Sequence, residues 1–291
     1  MRRHVRWMLN WVNPETGIMH SQDAQKWKNL GDWLPPRELP RTELVHTFLL
    51  WNSADILEKV CGELGEDAAE FIEIRDKAYK AFHNIFYDPE TGSYGKYGSN
   101  VLALQMGVPA ERKAKVIEAL RSNLAEVNDH IDTGILGTRY LFEVLCDNGL
   151  ADLAYKIVNQ MDFPSYGWWI EQGATTTWEN WNGRDSHNHP MFGGGIGWYY
   201  RDLAGLRIKE AGFRTFDIRP IVPEGLDWVE YTHNTPFGEI AIRWERIGAS
   251  FNLECSIPVG CKATVWLPSD SGYKPYDATS GKHSFTQIIT H

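Results

Sequence analysis

The chain has 291 residues, long enough for one large domain and a small one, each with its own core. Its 43% apolar and 23% charged residues match an ordinary globular protein. A net charge of −9 argues against a nucleic-acid or anionic-membrane surface, because phosphate binding needs a basic face.

The opening stretch, MRRHVRWMLNWVNPETG, has basic residues but no apolar core of the kind a signal peptide needs. No later run approaches the roughly 20 apolar residues of a membrane span. The compartment is left unassigned. After GDWLPP at 31–36, the pattern is helical from about residue 40 to 205. Thr42 is placed to cap a helix through ELVHTFLLWNSADILEKVCGEL, with Leu44, Val45, Phe48, Leu49 and Leu57 at helical spacing. Residues 66–87 repeat the period through Phe71, Ile74, Ala78, Phe82 and Ile85, and DPETGSYG then ends it with turn residues. Further helices are predicted over 101–106, 110–127, 137–148, 151–161 and 195–204. Short and long connections alternate between them. That alternation suits helical hairpins whose long loops gather on one face and build a site.

Beyond Gly212 the period becomes 2. Strands are predicted over 213–221, 228–233, 239–245, 250–257 and 263–267, broken by PEG, TPFG, IG and PVG. Their even spacing points to an antiparallel sandwich. The reading is therefore a helical domain over 1–210 and a β domain over 211–291.

The richest segment for chemistry lies just before that boundary: EQGATTTWENWNGRDSHNHPMFGGGIGWYYRDLAGL, from Glu171 onward, with Tyr166, Trp168 and Trp169 ahead of it. Indole faces stack on sugar C–H surfaces, amides and imidazoles bind hydroxyls, and carboxylates do acid–base work. The segment reads as a carbohydrate site. Trp168 and Trp169 are expected in an extended stretch, so that at most one faces the sugar. The cysteines, Cys61, Cys146, Cys255 and Cys261, have neither CxxC spacing nor a nearby histidine ladder, which argues for free buried thiols over a zinc site.

These motifs also carry a resemblance. GDWLPP, TELVHTFLLWNSADIL, DPETGSYG, DTGILGTRYLFEVL, DFPSYGWWIEQGATTTWENW, SHNHPMFGGGIGWYYRDLAGL, TPFGEIAIRW and IPVG follow one another in the order seen in the C-terminal portion of bacterial α-L-rhamnosidases. That family is composed of inverting glycoside hydrolases. The resemblance implies part of an (α/α)6 six-hairpin barrel followed by a C-terminal antiparallel β-sandwich. It implies release of terminal α-L-rhamnose from a glycan or glycoside, with no obligatory cofactor and no metal ligands. Calcium is left open, no DxDxDG loop being present.

By position in the motifs, Glu179 corresponds to the general base, which takes a proton from the attacking water. His189 corresponds to a histidine that binds sugar hydroxyls; His187 has no such match and is read as a supporting residue. Trp178 and Trp181 flank the base. One of them is the apolar wall for the rhamnose methyl, with Trp181 the better choice, and the other belongs to the core. Asp32 and Trp33 correspond to sugar-site residues, an acceptor for hydroxyls and a stacking ring. The competing reading of that pair is a helix cap followed by a core tryptophan. Glu171 either touches substrate or holds its loop through backbone amides.

The family's general acid lies in an acidic, tryptophan-containing segment well upstream of GDW. On the resemblance, this chain begins after that segment and holds only part of the barrel. A truncated product, a second polypeptide completing the barrel and a boundary error are three open explanations. Asp23, Glu38 and Glu43 are the nearby carboxylates, and no motif supports any of them as the acid. The alternative functions are a sugar-binding or structural remnant lacking the acid, and another (α/α)-barrel carbohydrate-active enzyme.

Overall fold

In the computed structural model, residues 1–20 and 30–289 are described, and Asp23 lies outside them. The chain divides into two compact units, Met1–Val144 with Lys156–Gly194, and Leu145–Tyr155 with Gly195–His291. The boundary read near residue 210 falls inside the second unit.

The helices are α1 (Arg2–Met8), α2 (Thr42–Leu64), α3 (Ala69–Ile85), α4 (Ser99–Met106), α5 (Ala110–Ala125), α6 (Ile135–Asp147), α7 (Ala151–Val158) and α8 (Tyr166–Glu171). Thr42 is the first helical residue of α2 and not its cap; Arg41 takes that position without a side-chain bond. At the other end Gly65, in the left-handed region at φ 66°, returns its N–H to the carbonyls of Cys61 and Gly62. Connections 65–68, 107–109 and 148–150 are short, and 86–98, 126–134 and 159–165 are longer, as the sequence pattern predicts.

α2 is apolar on two sides. Leu44, Val45 and Phe48 pack with Ala81 and Phe82 of α3, Leu102 and Ala103 of α4 and Val116 of α5. Leu50, Ala54, Leu57 and Cys61 meet Phe71, Ile74 and Ala78 of α3 and Val5 and Met8 of α1. Each large side chain buried this way contributes about 1.5–3 kcal/mol. The long connections are bonded to one another. Lys96 pairs with Glu126, His130 Nε2 meets Asp162 at 2.7 Å, and Gln160 donates to the carbonyls of Asn128 and Asp129. Hairpin packing thus brings the loops that carry polar residues to one place.

The strands are β1 (Leu206–Ile208), β2 (Thr215–Ile218), β3 (Trp228–Thr235), β4 (Gly238–Ile247), β5 (Ser250–Ser269) and β6 (Gly272–Ile288). They form one six-stranded sheet in the order β1-β2-β5-β4-β3, with β6 also paired to β5. The sequence reading of a purely antiparallel arrangement is corrected at β2, which runs parallel to β5 from Thr215↔Lys262 to Ile218↔Val265. The first part of β5 pairs with β4 and its last part with β2, while β6 follows it throughout. The register slips between Ile257 and Lys262, at the PVG read as a strand break. The bulge bends one long strand, so two predicted strands are one element and the sheet curls there. Inward residues Phe216, Ile218, Ile240, Ile242, Trp244, Phe251, Leu253, Cys255 and Val265 form the core.

The helix predicted over 195–204 is broken. A 3-10 segment covers Met191–Ile196 and a π-helical turn covers Tyr199–Leu203, because three successive glycines at 193–195 disfavour regular helix. All four cysteines are free, and burial pushes the Cys255 thiol up to about 12. No helix among the described residues is long and apolar enough to cross a membrane.

Candidate active site

The aromatic residues of the 163–192 region condense around α8. Ser165 caps that helix, its hydroxyl accepting from the Trp168 N–H at 2.9 Å. Gly167 is required by close approach, since a Cβ there would sit 2.6 Å from Met161 Sδ and against the Gln160 carbonyl. Trp168 and Trp169 are therefore helical and not extended: Trp169 is buried and Trp168 half-buried. Trp169 stacks on Trp181 with centroids 4.4 Å apart and planes at 17°. Its indole N–H donates to the Trp181 carbonyl at 2.9 Å. Phe192 closes the stack 4.5 Å from Trp181, and the Tyr166 hydroxyl donates to the Phe192 carbonyl.

Both tryptophans that flank Glu179 are buried. Trp181 is 1% exposed and is a core residue, whereas Trp178 is 6% exposed at the cluster's edge. Trp178 touches Trp168 edge-on at 6.2 Å, and His187 lies against its ring.

Glu179 sits on a hairpin-like loop that folds onto Trp178. Its N–H donates to Ser186 O, and the His189 N–H donates to Thr177 O. The Thr176 hydroxyl bonds the His187 carbonyl, and the Thr177 hydroxyl the His189 carbonyl. Asn182 and Gly183 supply the turn, Gly183 at φ 75°. His187 meets the Gly183 carbonyl through Nε2 at 2.7 Å. The half-buried Glu179 carboxylate receives the Ser186 N–H on Oε2 at 3.3 Å. His189 receives the Met191 N–H on Nδ1 at 3.2 Å, which places the proton of a neutral ring on Nε2. Ser186 and Met191 are contributors that the sequence reading missed, because both act through backbone N–H groups. The Asn-Gly turn at 182–183 was the signal that the loop doubles back.

Asp32 is wholly buried and belongs to the loop framework. Its carboxylate accepts from the N–H groups of Gly134 at 2.9 Å, Leu136 at 2.7 Å and Gly137 at 3.1 Å, the last two in the first turn of α6. It holds the first turn of α6 from more than a hundred residues away in sequence. Burial raises its pKa to about 6 against the opposing pull of those three N–H groups. A Cβ on Gly98 would lie 3.1 Å from Thr133 and 3.3 Å from Asp32, so three loops converge on this carboxylate. Trp33 is half-buried, and its carbonyl accepts from the Ile135 N–H.

Glu171 ends α8, exposed, its carboxylate without a hydrogen-bond partner among the described residues. It does not hold its loop by backbone amides. Glu43 lies in the first turn of α2, and Glu38 beside Tyr97. Among the described residues, no group of three or more His, Cys, Asp and Glu is arranged to hold a metal ion.

Helical hairpins with interlinked long loops, a carboxylate on a tryptophan-lined hairpin and a following sheet are the parts of a six-hairpin glycosidase. The chain belongs to the bacterial α-L-rhamnosidase family: the model for that family's 6 hairpin glycosidase domain matches residues 1–203, and the model for its C-terminal domain matches residues 205–282. An alpha-L-rhamnosidase of Streptomyces avermitilis is 30% identical over 96% of this chain and 30% of its own length. The crystal structure of the alpha-L-rhamnosidase of that organism complexed with L-rhamnose superposes with a TM-score of 0.88 at 28% identity, covering 97% of this chain and 30% of that one. The alpha-L-rhamnosidase structure from Dictyoglumus thermophilum gives a TM-score of 0.84 at 30% identity, over 90% of this chain and 34% of that one. The chain thus spans about 30% of the length of the curated relatives it matches.

Proposed function

We propose that this chain forms the general-base side of an α-L-rhamnosidase site and serves in the release of terminal α-L-rhamnose, with inversion, from a glycan or glycoside. The observation that carries the reading is the Glu179 carboxylate: one oxygen is held by the Ser186 N–H on a hairpin beside Trp178, which leaves the other for a water. In this reaction the water oxygen bonds to the anomeric carbon as the glycosidic C–O bond breaks. Glu179 takes the water's proton, and a second carboxylic acid, roughly 6.5–9.5 Å away, protonates the leaving oxygen. The acid is assigned to no residue of this chain.

His189 is the proposed hydroxyl donor through Nε2, its Nδ1 being occupied by Met191. Trp178 is the proposed apolar wall for the sugar methyl, with Trp33 as a stacking ring. Asp32 positions the loop that carries Trp33, and Glu171 is an exposed contact for groups beyond the rhamnose.

The test is hydrolysis of 4-nitrophenyl α-L-rhamnopyranoside with Glu179→Gln in parallel. A functional base predicts that the variant loses about 10²–10⁴-fold in kcat, and that NMR of fresh product reports the inverted anomer first. Equal turnover by both proteins overturns the assignment. Binding of L-rhamnose without turnover by the chain alone describes the alternative, a sugar-binding portion without its acid.

A further inference from the structure

The sheet carries a depression on its outer face, and the register shows how it is built. Tyr231, Ile242, Cys255 and His283 lie side by side across β3, β4, β5 and β6. Ile242 and Cys255 are inward core residues, so only the backbone of this row faces out. The rows on either side point outward: Glu230–Arg243–Glu254–Ser284, and Thr232–Ala241–Ser256–Lys282. Between them runs a trough of about 450 Å³. Four strands at the usual spacing make it about 14 Å long.

The chemistry of the two walls differs from that of a solvated face held by ion pairs. Arg243 is engaged, with Glu230 at 3.2 Å and Glu245 at 3.0 Å, and its guanidinium lies 5.7 Å from the centroid of the Trp228 ring. Glu254 and Lys282, on adjacent strands and opposite walls, form no ion pair with each other, and neither has a partner among the described residues. A free acceptor and a free donor therefore face one channel, with the hydroxyls of Thr232 and Ser256 and the small side chain of Ala241 along one wall. Beyond the Glu230–Arg243 row, Trp228 is 58% exposed, a ring face available for stacking.

We propose that this trough is a second binding site, for a short uncharged oligosaccharide segment of the glycan. The inference rests on the carbohydrate reading of the chain. Sugar hydroxyls are both donors and acceptors, so they satisfy Glu254 and Lys282 together, which an anion or a cation does not. Charges of both signs along the walls speak against nucleic acid.

The experiment follows backbone amide NMR shifts of the chain during titration with an α-linked L-rhamnose tetrasaccharide, up to about 10 mM to reach millimolar affinities. Saturable shifts at Thr232, Ser256 and Lys282 are expected. Glu254→Gln combined with Lys282→Ala should raise the Kd for those shifts about tenfold, since both groups make charge-assisted hydrogen bonds. Both side chains are exposed, and an unchanged amide spectrum elsewhere in β3–β6 reports that the variant is folded. Shifts confined to 176–189 overturn the trough and leave the Glu179 site standing. Shifts confined to the sheet support the trough and count against the Glu179 loop. No shift at either place overturns both.

Discussion

The imidazole of His187 lies flat on the indole of Trp178, with ring centroids 4.1 Å apart and planes 10° apart. The same histidine bonds the Gly183 carbonyl, and a Cβ on Gly183 would stand 2.9 Å from Cζ3 of Trp178. The turn, the histidine and the tryptophan are thus one clamp that sets the path of the Glu179 hairpin. Gly183→Ala introduces both a side chain at φ 75° and this collision. It should cost the loop on the order of 1–2 kcal/mol. Hydrogen exchange at the Glu179 and His189 amides, which are paired across the hairpin, should then accelerate about 5–30-fold. Unchanged exchange would mean that the turn does not clamp the hairpin.

Trp169 and Trp181 stack on each other but are not equivalent. The Trp169 N–H satisfies the Trp181 carbonyl, whereas Trp181 Nε1 is buried without a partner among the described residues. Trp169→Phe therefore strands a buried carbonyl, at about 1–3 kcal/mol, in addition to losing ring volume. Trp181→Phe loses comparable volume but removes an unsatisfied donor. Denaturant midpoints should place Trp169→Phe below Trp181→Phe, and the reverse order would refute this account.

Most of the helices were legible because burial imposes a 3.6-residue period on α2, α3 and α5. The alternating loop lengths were legible for the same reason. Asp32 was harder: its partners Gly134, Leu136 and Gly137 are distant in sequence, and backbone N–H groups leave no residue-type signature. β6 escaped notice because its residues are mostly exposed and include Pro275, so no apolar alternation marks it. α8 was recoverable from Ser165, whose capping side chain the aromatic run after it obscured. That Trp181 is the more enclosed of the two rings was beyond local sequence, because it depends on Phe192 and Tyr166 closing over it.

Buried His83 gives unit Met1–Val144 with Lys156–Gly194 a defined acid sensitivity. Its Nδ1 meets the Tyr94 hydroxyl at 2.5 Å, and burial, aided by Arg112, lowers its pKa from 6.5 to about 4. The unfolded chain therefore binds this proton more tightly. The stability contributed by the neutral ring is intact above pH 6.5 and lost as pH falls towards 4, amounting to about 3 kcal/mol across the window. His83→Phe keeps the aromatic packing and removes the titration. The stability difference between wild type and variant should shift against wild type by that amount between pH 6.5 and pH 4, and a flat difference would sink the prediction.

Asp32→Asn tests the loop framework behind the proposed site. The amide offers one acceptor oxygen where the carboxylate offers two, and its NH₂ group faces the N–H groups of Gly134, Leu136 and Gly137. At neutral pH the substitution should cost on the order of 3 kcal/mol. Exchange protection should fall first at Leu136 and Gly137, while α2, which has no bond to Asp32, keeps its own. The pH dependence has the opposite sign to that of His83. The folded pKa of Asp32 is raised from 3.8 to about 6, so its contribution is fully present below 3.8 and is lost as pH rises through 6. The gap between wild type and Asp32→Asn should therefore widen on acidification from pH 7 to pH 4, by about 3 kcal/mol at most. A gap that narrows would mean that the three N–H groups, and not burial, govern this carboxylate.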